Sequence, residues 1–64
     1  MADEESVFVV EVIGGWLYEK MYGFEIVDSV KQATKFSYRR ARRVCLDVEA
    51  HLHPTAVQLQ ENNQ

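Results

Sequence analysis

Residues 7–22, VFVVEVIGGWLYEKMY, decide the fold. Val7 to Ile13 are rich in β-branched and aromatic side chains, run into Gly14-Gly15 and resume in the same style from Trp16 to Tyr22. Two such runs around a two-glycine centre are the signature of a β-hairpin. If Gly14 and Gly15 are the central residues of a type I′ turn, where both take positive φ, then Ile13 faces Trp16, Val12 faces Leu17 and Glu11 faces Tyr18. Alternation puts Phe8, Val10, Val12, Leu17, Glu19 and Met21 on one face. The other face carries Val7, Val9, Glu11, Ile13, Trp16, Tyr18, Lys20 and Tyr22. Both are largely apolar, and a slip of register only exchanges which set points inward.

The remainder of the chain has to cover one of these faces. Gly23 allows a bend, "FEIV" at 24–27 extends or continues the second strand, and Asp28-Ser29 is a turn signal leading into one helical turn at 30–33. A short further strand fits near 34–36. Ser37 is a good N-cap residue. Beyond it Ala41, Val44, Cys45, Val48 and Leu52 form one narrow apolar stripe at ~100° per residue. Pro54 stops the helix by His53, because the residue before a proline is pushed out of the α region. The predicted helix is therefore about 38–52. Val57 and Leu59 alternate with Gln58 and Gln60, a half-exposed last strand at 56–60. The expected class is α+β, an antiparallel sheet built on the 7–22 hairpin with one helix packed on one face. A single helix leaves the second face open, so Trp16, Tyr18 and Tyr22 are expected at an interface, in a homodimer or with a docked partner.

Sixty-four residues make one domain, 1–64, near the lower limit for folding without disulfides, metals or a second subunit. Residues 1–6 and 61–64 read as flexible tails. The composition, 47% hydrophobic and 27% charged, is that of a globular chain. Cys45 is the only cysteine, which excludes an internal disulfide. No apolar run approaches the ~20 residues of a membrane span, and the start MADEES is acidic where a signal peptide is basic. A soluble, unprocessed protein of the cytoplasm is expected.

The net charge of −3 conceals three blocks. Residues 1–30 balance to −6, through Asp3, Glu4, Glu5, Glu11, Glu19, Glu25 and Asp28 against Lys20. Residues 31–43 balance to +6, through Lys31, Lys35, Arg39, Arg40, Arg42 and Arg43 with no acid. From residue 44 onward Asp47, Glu49 and Glu61 give −3. Four arginines thus stand in the first turns of the helix, where its dipole favours anions. Two explanations remain open. The acidic hairpin or the Asp3-Glu4-Glu5 tail folds back on the arginines, or Lys35, Arg39, Arg40, Arg42 and Arg43 form a patch for an anionic partner.

The hairpin FVVEVIGGWLYEK, followed by Ala33, Phe36, Ser37 and Ala41, a helix and a last strand, resembles small proteins of unknown function encoded by bacteriophages and prophages. The resemblance covers roughly residues 7–60 and carries no defined functional positions. It implies an accessory protein acting on a macromolecule in a bacterial host cell rather than a metabolic enzyme.

Chemistry-bearing constellations are sparse. His51, His53 and Cys45 lack a fourth ligand at zinc-like spacing, so no metal or other cofactor is expected. Cys45 has no basic neighbour on its own helix face, there is no phosphate loop or nucleophile elbow, and Glu11 and Glu19 fall on opposite hairpin faces. No catalytic residue is assigned. The expected function is a non-enzymatic interaction protein that binds and modulates a protein partner through the basic helix start and the aromatic sheet face. The alternatives are a nucleic-acid-binding regulator using the arginines, disfavoured by the acidic sheet, and an acidic mimic of nucleic acid.

Overall fold

The computed structural model describes residues 7–59. Strands β1 (Val7–Val12), β2 (Gly15–Lys20) and β3 (Gly23–Val27) come first. A 3₁₀ turn at Val30–Gln32, helix α1 (Tyr38–Asp47), a second 3₁₀ turn at Ala50–Leu52 and strand β4 (Thr55–Leu59) follow. The strands form one sheet in the order β3-β2-β1-β4, antiparallel throughout, with α1 on one face. This is the α+β arrangement that the hairpin implied. The tails at 1–6 and 61–64, Gln60 of the expected last strand, and the acids Asp3, Glu4, Glu5 and Glu61 lie outside the described residues.

The first hairpin departs from the expected register. Val12 pairs with Gly15 and Glu11 with Trp16, so Ile13 and Gly14 are the central turn residues and only Gly14, at φ 99°, needs positive φ between them. The cause is β3. Trp16 pairs with Val27 on the other side of β2, and a Cβ on Gly15 would stand 2.1 Å from the Val27 carbonyl oxygen. Gly15 is thus a strand residue against which the neighbouring backbone closes. The slip is two residues, one full period of a strand, and the face assignments survive it.

The hairpin expected over 7–22 ends earlier than its composition suggests. Lys20 pairs with Gly23, leaving Met21 and Tyr22 in the turn and 85% and 92% exposed. Gly23 follows at φ 109°, a positive value that glycine takes without steric cost as β3 begins. Residues 24–27 therefore neither extend nor continue β2; they return beside it as β3.

At the far end from Gly15, β1 and β2 part and the chain near 34–36 enters between them. The Thr34 N–H donates to the Leu17 carbonyl at 3.1 Å, and the Glu19 N–H donates to Thr34 Oγ1 at 2.7 Å. On the other side Phe8 and Phe36 exchange both backbone hydrogen bonds, at 2.8 and 2.7 Å. The short strand expected near 34–36 is present as this bridge. It leads directly into Ser37, whose side chain accepts from the Arg40 N–H at 3.2 Å and caps α1.

Ala41 and Val44 from α1 meet Val10, Val12, Leu17 and Phe36 in the core, with Phe8, Phe24, Cys45, Val48, Leu52 and Ala56 packed around them. The helix expected over 38–52 stops at Asp47, where Val48 turns to an extended backbone of φ −84° and ψ 151°. The β-branched Val48 gives up little by leaving the helix. Leaving it lets the 3₁₀ turn bring the Leu52 carbonyl to the Ile13 N–H at 2.9 Å, tying the helix end to the hairpin tip. His53 then takes a left-handed backbone, φ 52° and ψ 56°, ahead of Pro54.

The sheet face away from the helix is less open than the sequence implied. Val9 on that face is 0% exposed and Trp16 is half-buried. The segment after β3 crosses this side: Gln32 lies beside Tyr18, Glu25 and Val27 in one shallow depression, and Ala33 is buried. No helix among the described residues is long and apolar enough to cross a membrane.

Candidate functional site

Helix α1 places the four arginines on three different footings. Arg40 points to the sheet, where its guanidinium donates to Glu19 Oε2 on β2 and lies 5.9 Å from the centre of the Phe36 ring. Arg43 pairs one helical turn on with Asp47, at 3.5 Å. Arg42 stacks over the Tyr38 ring at 5.7 Å, within cation–π range, and pairs with no carboxylate among the described residues. Arg39 is exposed and makes no ion pair among the described residues. Internal pairing therefore accounts for one arginine through the hairpin and one through the helix itself, while two remain directed to solvent.

In the first turn of α1, Arg39 and Arg40 oppose the helix dipole by about 0.3–1 kcal/mol each at low ionic strength. Glu19 offsets this locally for Arg40. No carboxylate among the described residues offsets it for Arg39. Lys35 is likewise exposed, just before the wedge residue Phe36, with no ion pair among the described residues.

Two residues of this surface escaped the sequence reading. Tyr38, 52% exposed, and Leu46, 82% exposed, share the outer side of α1 with the arginines. Tyr38, Arg42 and Leu46 stand four residues apart, on one line of the helix, and Arg39 and Arg43 run beside them. Tyr38, Arg39, Arg42, Arg43 and Leu46 line a single shallow depression. The signal was available: Leu46 is a large apolar residue that falls off the Ala41-Val44-Cys45-Val48 stripe and so has no place in the core. Such a mixture of aromatic, aliphatic and arginine side chains is the composition enriched at protein interfaces.

The aromatic set expected on one sheet face divides. Trp16 and Tyr18 lie on the face away from α1, half-buried and 44% exposed respectively. Tyr22 belongs instead to the β2–β3 turn. Phe8 meets Tyr38 in a tilted ring contact, centroids 5.0 Å apart and planes at 53°, which fixes the first turn of α1 against β1.

The residues considered for metal binding do not converge. His51 Nδ1 lies 3.4 Å from Glu49 Oε1 on the surface, whereas Cys45 packs against the core. No group of three or more metal-ligating side chains occurs among the described residues. Burial holds the Cys45 thiol above its ordinary pKa, which keeps it protonated and a poor nucleophile at neutral pH.

Comparison with known proteins finds no matching family model, no matching curated protein and no matching solved structure.

Proposed function

We propose that this protein is a small non-enzymatic interaction protein, an accessory factor of the phage or prophage type that acts in the bacterial cytoplasm by binding and modulating a protein partner. The observation that carries the reading is the outer face of α1, where Arg39 and Arg42 have no carboxylate partner among the described residues and stand between the exposed Tyr38 and Leu46. Arginine suits an acidic protein surface because it keeps its charge and binds a carboxylate through two parallel hydrogen bonds. Leu46 and Tyr38 add the apolar contact that gives such a surface its affinity. The test is capture from a bacterial lysate on immobilised protein. The wild type is expected to retain a discrete protein that the Arg39→Glu/Arg42→Glu variant loses, and equal retention by both contradicts the reading.

The same unpaired arginines favour a second reading, contact with nucleic-acid phosphates by Lys35, Arg39 and Arg42. Three such contacts on duplex DNA predict a log–log salt slope of about −3. The exposed Leu46 at the end of the patch has no role in a phosphate contact, which is why the protein partner is preferred. Absence of DNA and RNA binding at low salt removes this second reading. A homodimer through Trp16 and Tyr18 belongs to the proposal as well. Sedimentation is expected to give a dimer at micromolar concentration, and a monomer contradicts it.

A further inference from the structure

Strand β4 lies at one edge of the sheet, and α1 runs across β1 and β4. Because Phe8 spends its backbone hydrogen bonds on Phe36, the alternate residues Val7, Val9 and Glu11 direct theirs to β4, at Leu59, Val57 and Thr55. Ala56, which lies opposite Val10 in a non-hydrogen-bonded pair, therefore turns its N–H and C=O away from β1. Directly above this edge a groove runs between helix and strand, lined by Tyr38, Arg42, Cys45, Leu46, Pro54 and Ala56. Natural sheets protect their edges with charges, internal prolines or bulges, and β4, TAVQL, has none of these. The opposite edge, β3, carries Glu25, held by Lys20 at 3.9 Å.

We propose that the cleft between α1 and the outer edge of β4 receives an extended segment of a protein partner. It exchanges backbone hydrogen bonds with Ala56, sets an apolar side chain against Tyr38 and Leu46, and places a carboxylate on Arg42. This names the partner's local chemistry and rests on the reading of the helix surface given above. Strand addition beneath a helix is an efficient way to bind a peptide, since the main chain supplies affinity and the groove supplies selectivity. The residue opposite Ala56 would share its side of the sheet and so enter the groove rather than solvent. The charge on the rim selects the occupant. A second copy paired through the same edge would bring two Arg42 guanidinium groups along one seam, whereas an acidic segment meets a cation that has no carboxylate of its own among the described residues.

The experiment uses the full chain labelled with ¹⁵N and titrated with a short capped peptide of the pattern Val-Thr-Glu-Thr-Val-Thr-Glu, which puts valine and glutamate on the same side of an extended chain. Controls are the same peptide with lysine for glutamate and with proline at its centre. Amide shifts are expected at Thr55–Val57 and along Tyr38–Leu46. Binding should weaken roughly tenfold or more with either control peptide or with Arg42→Gln, the loss expected for a charge-assisted or main-chain bond pair. Shifts confined to β3, equal affinity for the lysine peptide, or no shifts at millimolar peptide would overturn the proposal. If Arg39 and Arg42 still govern capture from lysate while the peptide leaves β4 untouched, the cleft is wrong and the helix surface stands. If the peptide binds as expected but capture ignores the helix variant, the helix surface as the main contact is wrong and the cleft stands.

Discussion

At Gly15 the missing side chain is a packing requirement, because β3 closes its backbone onto the site a Cβ would occupy. Gly14 differs: its φ of 99° disfavours a side chain, but the nearest atom to an added Cβ would be Ile26 Cγ2 at 3.9 Å. Gly14→Ala is therefore expected to cost about 1–2 kcal/mol through backbone strain alone. Gly15→Ala should cost more, about 2–4 kcal/mol, because strain and a backbone clash combine. Urea denaturation of both variants ranks them. Gly14-Gly15 marked a hairpin in the sequence, but which glycine served the turn and which served the neighbouring strand was not legible, since β3 itself had not been recognised. Cys45 gives a prediction of a different kind. Its thiol pKa is raised in the folded state by burial, so the native protein holds this proton more tightly than the unfolded chain. Stability is then fully present below the unfolded thiol pKa, about 8.5, and declines as pH rises through it toward the folded value. Chemical denaturation from neutral to alkaline pH should show a steeper decline for the wild type than for Cys45→Ala, and parallel curves would contradict the burial argument.

Among the elements, the wedge of residues 34–36 between β1 and β2 organises the rest. Thr34 joins β2 through one backbone bond and one side-chain bond, Phe36 joins β1 through two, and Arg40 follows one helical turn later onto Glu19. Thr34→Val keeps the shape and removes the acceptor for the Glu19 N–H, so a loss of about 1–2 kcal/mol is expected from denaturant unfolding. The Arg40–Glu19 pair is partly exposed, and a double-mutant cycle should return no more than about 1 kcal/mol. A stronger dependence on the ion pair than on Thr34 would reverse this account of what holds the wedge. The sequence suggested a strand here without showing what it paired with, because pairing at such separation leaves no local periodicity. The end of α1 was hidden for a related reason. Val48 and Leu52 both pack toward the core from outside the helix, so their spacing continued the stripe after the helix had stopped.

For the molecule as a whole, the faces of the first hairpin, the cap at Ser37, the core residues Ala41 and Val44 and the charge blocks were legible from pattern alone. The path of the chain over the outer sheet face was not. Val9 is buried on the face where Gln32 lies beside Tyr18 and Val27, a tertiary outcome with no sequence marker of its own. The arginine cluster was visible as a charge block, yet its division into Arg40 and Arg43 with internal partners and Arg39 and Arg42 without them depended on the same tertiary placement. The outer face of α1 is proposed to meet a protein. The most direct test is photo-cross-linking in bacterial cells with benzoylphenylalanine introduced at position 46 on that face and at position 22 in the exposed β2–β3 turn. A discrete protein adduct is expected from position 46, one that disappears with Arg39→Glu/Arg42→Glu and is absent from position 22. Adducts of equal yield from both positions, or none from position 46, would contradict it.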